Sequence, residues 1–463
     1  MQPIICHLDM NSYFASVEQQ DNVAWRGKPL GVCEHLGGII IAASIEAKRW
    51  GIKTGTPVWE ARKLYPKIIL SKTHPDRYRL YIARVMKVVS DYTAFVEQAS
   101  IDELYLDLTK VCNIRLPIKD LRLKDRQDLN PKSEILNLAL VNPFEEAVSI
   151  AKEIKRRMKI EVADYLTCSI GIADNKLLAK IGSDMKKPDG LVVVLPNRLE
   201  ISARGGSASG GNDLRLKKEQ DLNLKSLILN QSELYYRLKL TDIPGIARRQ
   251  EKNLNALGIR TLLDLKNFPL AGLVAKFGIN GYHLHKMGQL EGSWKPLVEK
   301  DETIKSIGHM YTLPQEYRKR EFFVPVLYKL CEMVGRRMRK QELTGNIIHF
   351  YFHDKDYNGF GKSVKLGFYL DDGREIFLQA MRVYNEVSDS IAEFKLIGVT
   401  VAGLRPYVHQ LSLFGYEERQ RKLVVALDKI NNKYGDFTVC RVPVMGAKMA
   451  FKDSIGFGRI KEK

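Results

Sequence analysis

A chain of 463 residues is too long for one ordinary hydrophobic core, and length alone suggests two to four domains. Lys and Arg number 73 against 54 Asp and Glu, a formal net charge of +19 with a pI near 9.4, which points to a polyanionic partner, nucleic acid ahead of an anionic membrane surface. The six cysteines show no CxxC or Cys/His clustering, which speaks against zinc and against a disulfide framework, and no apolar run approaches the about 20 residues of a spanning helix, so a soluble cytoplasmic protein is expected.

The first element, Pro3 to Leu8, reads as a short buried strand that ends at Asp9. SYFASVEQQ then has helical spacing. After Gly37 and Gly38, Ile39 to Ala43 reads as a strand, and Glu46 to Trp50 as a short helix closed by Gly51. Arg77 to Tyr92 is helical by its apolar spacing and leads to FVEQASIDELYLDLT, residues 95–109, which reads as a strand. In strict alternation Asp102 shares the face of Leu104, Leu106 and Leu108, while Glu103 shares that of Ile101, Tyr105 and Asp107. The two acids then point apart, so a shared task requires a twist or bulge near Asp102.

Residues 113–143 are polar and irregular and read as an insertion or long connection. A helix over 143–158, the strand LTCSIGIA, the segment NKLLAKIGSDMKKPDG and the strand LVVVL follow, and then ARGGSASGGND, a Gly/Ser-rich boundary or inserted loop. Residues 232–291 are helical by periodicity. Beyond Thr303 a basic helix, VGRRMRKQEL, is followed by the alternating strand NIIHFYF and further strands, which suggests a separate α+β domain. The last stretch begins with QLSLF and carries a helix-like segment, KLVVALDKINNKYG.

Asp9 at one strand end and Asp102 with Glu103 on another are placed as if two neighbouring strands bring three carboxylates together. Such acids share a small space only with cations between them, and hard oxygen ligands select Mg²⁺ or Mn²⁺. That cluster suits two-metal phosphoryl transfer. The alternative is that Asp9 is a helix N-cap and Glu103 a solvated strand residue.

DMNSYFASVE at 9–18, SIDELYLDLT at 100–109 and GIADNKLLAKIGSDMKKPDG at 171–190 resemble, in order and spacing, three signature blocks of the Y-family translesion DNA polymerases. The resemblance continues through DIPGIARR and KSIGHMYTLP and covers nearly the whole chain. It implies an α+β right-hand polymerase with a ferredoxin-like palm (1–12 and 77–187), small fingers (13–76), a helical thumb (188–298, with an insertion near 203–213), a linker (299–305), an α+β little finger (306–408) and a tail (409–463). Asn11, where many relatives carry a third acid, and the length of the tail suggest a polymerase V-like member rather than a polymerase IV.

Carried over by position, the resemblance makes Asp9, Asp102 and Glu103 the ligands of two Mg²⁺ ions, with the Met10 carbonyl as a further ligand. Asp107 is not part of that set. Phe14 falls where a bulky side chain excludes a 2′-hydroxyl, and Tyr13 beside it packs against the nucleotide or the palm. Ile39 and Ile41 face the nascent base pair, and Ile45 and Lys48 stand where many relatives place Tyr and Arg on the triphosphate, so the phosphate grip leans on Lys180 with Lys48 or Arg49. Gly245, Ile246, Arg248 and Arg249 look like a helix-hairpin-helix contact to a DNA phosphate. Arg336 and Arg337 on the basic helix suit a DNA backbone, and Gln410, Leu411, Leu413 and Phe414 resemble a sliding-clamp peptide.

The implied substrates are primer-template DNA and dNTPs, and the implied function low-fidelity lesion bypass by a chain that is monomeric alone and works at the nucleoid. Two rivals are a nucleotide cyclase on a related palm, which has no use for the hairpin motif or QLSLF, and a catalytically idle DNA- and clamp-binding factor, which predicts loss of an acid.

Overall fold

The computed structural model describes residues 1–34, 38–113, 143–196, 226–292, 304–313, 315–354, 358–386, 393–408 and 416–445. The expected insertion over 114–142, the loop at 203–213 and QLSLF lie outside the described residues. The chain divides into two compact units, Met1–Lys300 and Asp301–Asp453.

The first unit is built on a six-stranded sheet of order β5-β6-β1-β7-β8-β9. Its strands are β1 (Ile5–Met10), β5 (Val96–Gln98), β6 (Glu103–Asp107), β7 (Cys168–Ala173), β8 (Leu191–Leu195) and β9 (Ser226–Asn230). β1 is buried along its whole length because it is central, antiparallel to β6 on one side and to β7 on the other. One face of the sheet packs Cys6, Leu8, Leu104, Leu106 and Ile170 against helices Pro75–Ser90 and Pro143–Arg157. Ile5, Ala173 and Val192 on the other face meet helix Lys176–Met185. A smaller sheet of order β3-β2-β4, formed by β2 (Leu30–Cys33), β3 (Ile40–Ala43) and β4 (Ile69–Lys72), carries the short helices Ile45–Arg49 and Val58–Leu64.

Two expectations change here. Residues 95–109 are not one strand: β5 and β6 form a hairpin, pairing Val96 with Leu106 and Gln98 with Leu104, and the Ala99 and Ser100 amides both donate to the Glu103 carbonyl. Asp102 therefore lies in the turn, outside the alternation that the bulge was needed to break. The sheet also runs past residue 187, because β8 and β9 join it as parallel strands.

Helix Lys176–Met185 crosses β7 at very short range. A Cβ on Gly171 would stand 1.9 Å from the Ala179 carbonyl oxygen and 2.4 Å from the Ser183 nitrogen, and one on Gly182 would stand 3.3 Å from the Gly171 Cα. Only glycine permits that approach, and backbone atoms cannot yield as a side chain can.

The second unit is a sheet of β10 (Ser306–Thr312), β13 (Phe394–Ala402), β11 (Leu343–Asp354) and β12 (Gly359–Leu370), with the two-residue β14 (Arg405–Pro406) paired to β11. Helices Arg320–Lys340 and Gly373–Asn385 cover one face over a core of Phe323, Phe350, Phe352 and Phe394. The other face, with Gly308, His349, Tyr351 and Lys365, carries no helix among the described residues. The six cysteines are free, and among the described residues no helix is long and apolar enough to cross a membrane.

Gly171→Ala should lower the unfolding free energy of the first unit by about 2 kcal/mol or more, from forced displacement of the helix. Gly367→Ala, with nothing within 4 Å of its Cβ, is the control and should change it by under about 1 kcal/mol. Chemical denaturation of both variants checks this, and equal effects would refute it.

Candidate active site

β1 and β6 place Asp9 directly opposite Glu103, so both side chains rise from one face of the sheet at its end. One residue before Glu103, the Asp102 carbonyl accepts from the Met10 amide at 2.9 Å, which fixes the turn against the end of β1. The Ser100 hydroxyl donates to Asp102 Oδ1 at 2.6 Å. The register and the hydrogen bond from the Met10 amide bring the backbone of Asp9, Asp102 and Glu103 together at one end of the β1–β6 pair.

Their charge is poorly accommodated. Burial raises the Asp9 pKa from 3.8 to about 6 against the attraction and hydrogen bond of Lys187, with smaller repulsion from Asp102 and Glu103. Asp102 is raised as well, by burial first and by Glu103 next, against the hydrogen bond from Ser100. Lys180 donates to both oxygens of Glu103, at 2.6 and 2.7 Å, and Lys187 donates to Asp9 at 2.8 Å while also pairing with Asp184 at 2.6 Å. Lys48 faces the same cluster: crowding of its ammonium away from water and then repulsion by Lys187 lower its pKa, against attraction by Asp9 and Asp102.

Among the described residues no three acid, imidazole or thiol groups already surround one point at metal-ligand spacing, because Asp9 and Glu103 are each drawn to an ammonium. The donor set still fits a hard divalent cation: three carboxylates, two of them held above their ordinary pKa by burial and mutual repulsion, at a site where protein cations already collect.

Lys187 is the residue that sequence reasoning missed. It sits in the turn KKPDG, where no periodicity marks it, and the turn is held by buried Lys155, whose ammonium donates to the carbonyls of Asp189 at 2.7 Å and Gly190 at 3.2 Å. His7 was missed too. It is fully buried between Asp9 and the helix, with Nδ1 2.7 Å from Ser183 Oγ. Because the Ser183 hydroxyl donates to the Lys180 carbonyl, it accepts from His7 Nδ1–H, and His7 Nε2 faces Glu103 at 4.0 Å without a hydrogen bond. Burial, then Lys180 and Lys187, press its pKa down to about 3 and keep the imidazole neutral.

Tyr13 and Phe14 open helix Tyr13–Asp21, and both are buried. The Tyr13 hydroxyl donates to the Tyr78 carbonyl at 2.6 Å, and the Phe14 ring stacks on Tyr78 with centroids 4.2 Å apart. Asn11 is turned from the acids, donating to Thr167 at 3.0 Å and accepting from Ser169 at 2.9 Å. Ile41 packs on the palm-side core and Ile45 begins the helix that carries Lys48, whereas Ile39 is 54% exposed at the end of β3.

The expected DNA contacts fare unevenly. Gly245 takes a positive φ of 101°, as a tight turn requires, and Arg248 and Arg249 are exposed in the first turn of helix Arg248–Asn255. The Ile246 side chain is buried, however, and its amide already donates to the Ile243 carbonyl at 3.0 Å. In the second unit Arg336 binds Asp436 and Asn432, and Arg337 donates to the Gly308 carbonyl. The neighbouring Arg339 binds Asp428. These side chains are paired within their own unit, the C-terminal helix Tyr416–Tyr434 supplying the acid for Arg339.

Residues 8–184 match the impB/mucB/samB family, and residues 304–413 match its C-terminal domain. The chain is 32% identical over 453 residues to a DNA polymerase IV of Moorella thermoacetica, covering 96% of this chain and 97% of that protein. It is 30% identical over 438 residues to a DNA polymerase IV of Pelotomaculum thermopropionicum, covering 94% and 93%. A solved Y-family DNA polymerase chimera of Dbh and Dpo4 shares the fold, with a TM-score of 0.64 at 24% identity over 86% of this chain and 98% of that one. The fold is that of a right-hand DNA-directed DNA polymerase. The chain belongs to the impB/mucB/samB family of Y-family DNA polymerases, enzymes of divalent-metal-dependent synthesis on primer-template DNA from dNTPs.

The raised pKa of Asp9 carries a signed consequence. A carboxyl that is easier to protonate when folded than unfolded costs stability as pH rises from its unfolded value of 3.8 to its folded value of about 6. In EDTA, Asp9→Asn should gain stability relative to the native chain across that window, with the gap constant above it. Thermal melts at stepped pH read the difference, and a gap independent of pH would overturn the assignment.

Proposed function

We propose that Asp9, Asp102 and Glu103, with the Met10 carbonyl, hold two Mg²⁺ ions, Mn²⁺ serving in their place, for lesion-bypass DNA synthesis. The observation that carries this is the register pairing Asp9 with Glu103 beside the anchored Asp102 turn. Bound there, the ions supply the positive charge that offsets the triphosphate and lowers the pKa of the primer 3′-hydroxyl.

The chain's own residues do the rest. Lys180 and Lys187 release the carboxylates and, with Lys48 beside them, take up the triphosphate oxygens, so the charge balance of the site is kept as substrate enters. As a monodentate ammonium, Lys48 gives charge without the planar fork of an arginine, and Ile45 gives no hydrogen bond at all. Phe14, backed by Tyr78 and next to Tyr13, excludes a 2′-hydroxyl by volume. Ile39 and Ile41 roof the nascent base pair and narrow the room for bulky lesions.

DNA is held at the Gly245 turn by the exposed Arg248 and Arg249, and in the second unit by Arg336 and Arg337 on the basic helix together with the helix-free face of the sheet. Lys365, His349 and Tyr351 lie on that face. Gln410, Leu411, Leu413 and Phe414 dock on a sliding clamp. We place the enzyme, a monomer alone, in the cytoplasm at the nucleoid. Asn11 favours a polymerase V-like member, whereas the relatives that align over nearly the whole chain bear the name DNA polymerase IV. Whether extension by the purified chain needs an accessory subunit bears on the branch.

Primer extension tests the assignment. Asp102→Ala should lower dNTP addition by about 10³-fold or more with DNA affinity retained, and Phe14→Ala should raise ribonucleotide use at least about tenfold relative to dNTPs. Full extension by Asp102→Ala sinks the catalytic reading, and unchanged sugar selection sinks the gate. Separately, Leu413→Ala with Phe414→Ala should abolish stimulation by a bacterial clamp while leaving clamp-free extension intact; stimulation that persists would refute the docking role.

A further inference from the structure

Two tryptophans stand in solvent on the small three-stranded sheet: Trp59 is 68% exposed and Trp50 53%. Trp59 lies in the first turn of helix Val58–Leu64, whose inner face is made by buried Val58 and Ala61. Arg62 and Lys63, three and four residues on, share its outer face and are exposed. Trp50 leans on Tyr65 at the other end of that helix, with ring centroids 5.0 Å apart. From Ala47 to Pro75 the chain carries seven Lys and Arg and a single acid, Glu60.

The patch is tied to the edge of the active site. Ile39 forms an isolated antiparallel bridge with Pro57, and the Val58 amide donates to the Gly38 carbonyl at 2.9 Å. Trp59 is thus two residues from the point where the helix meets Ile39, while helix Ile45–Arg49 on the same sheet turns Lys48 toward the carboxylates. If Ile39 covers the nascent base pair, the start of helix Val58–Leu64 adjoins that pair and is within reach of the unpaired template next to it.

A large exposed indole beside like-charged cations is a poor surface for solvent and a good one for an unpaired base with its phosphates. Stacking needs only a flat apolar face and tolerates any base, and Arg62 and Lys63 provide the charge for the backbone. An apolar protein partner would also cover Trp59, but the excess of cations favours a polyanion.

We propose that Trp59, with Arg62 and Lys63, is a stacking platform for the single-stranded template ahead of the templating base. The proposal rests on the polymerase reading and adds a contact to it that the catalytic residues do not require.

The test uses the full chain and two primer-templates, one with a single unpaired template nucleotide and one with roughly ten, a length within the span of known single-strand sites. In the native chain the longer overhang should bind more tightly and quench tryptophan fluorescence further. Trp59→Ala should lose about tenfold in affinity for the long overhang, keep its affinity for the short one, and keep its rate of addition on the short one. Trp59→Phe, which restores a stacking face, should recover most of the loss. Native affinity that does not depend on overhang length, or a loss that is equal on both substrates, would overturn the proposal. A native chain that adds no nucleotide even to the short-overhang substrate would instead overturn the polymerase reading itself.

Discussion

The molecule depends on one unfavourable arrangement: like charges held together at the end of a buried antiparallel strand pair. β1 and β6 are in register so that Asp9 faces Glu103, and the hydrogen bond from the Met10 amide to the Asp102 carbonyl brings the third acid to the same end. Burial and mutual repulsion raise Asp9 and Asp102, so the fold itself creates a demand for cations there. In the free chain Lys180 and Lys187 answer that demand with ammonium groups.

The close crossing of Gly171 and helix Lys176–Met185 makes the answer possible. A helix seated at ordinary distance would hold Lys180 farther from Glu103 and Ser183 farther from His7. The following turn, tied down by buried Lys155, presents Lys187 to Asp9 from the other side. Glycines and a buried lysine that take no part in chemistry thus set where the charged groups stand.

Much of this was legible in the sequence, and the exceptions have physical causes. Asp9 could be read because an apolar strand visibly stops at it, and the order of the signature blocks brought the other acids to it. The hairpin at residues 99–102 was hidden because ASID contains no glycine or proline. β9 was hidden because SLILN is short and lies far along the chain from its partner, β8, so the pairing is non-local. The basic helix showed its charge but not its counter-ions: Asp428 and Asp436 lie about a hundred residues downstream, and one-dimensional spacing cannot pair them. Lys187 lacked any periodic signal at all.

The central claim is that the three carboxylates accept metal in exchange for their lysines. Anomalous scattering from Mn²⁺ in crystals of the chain with primer-template and a non-hydrolysable dNTP tests it most directly. The account predicts manganese among Asp9, Asp102 and Glu103, with Lys180 and Lys187 withdrawn from the carboxylates. Manganese bound elsewhere, or lysines still seated on Asp9 and Glu103 with the nucleotide in place, would contradict it.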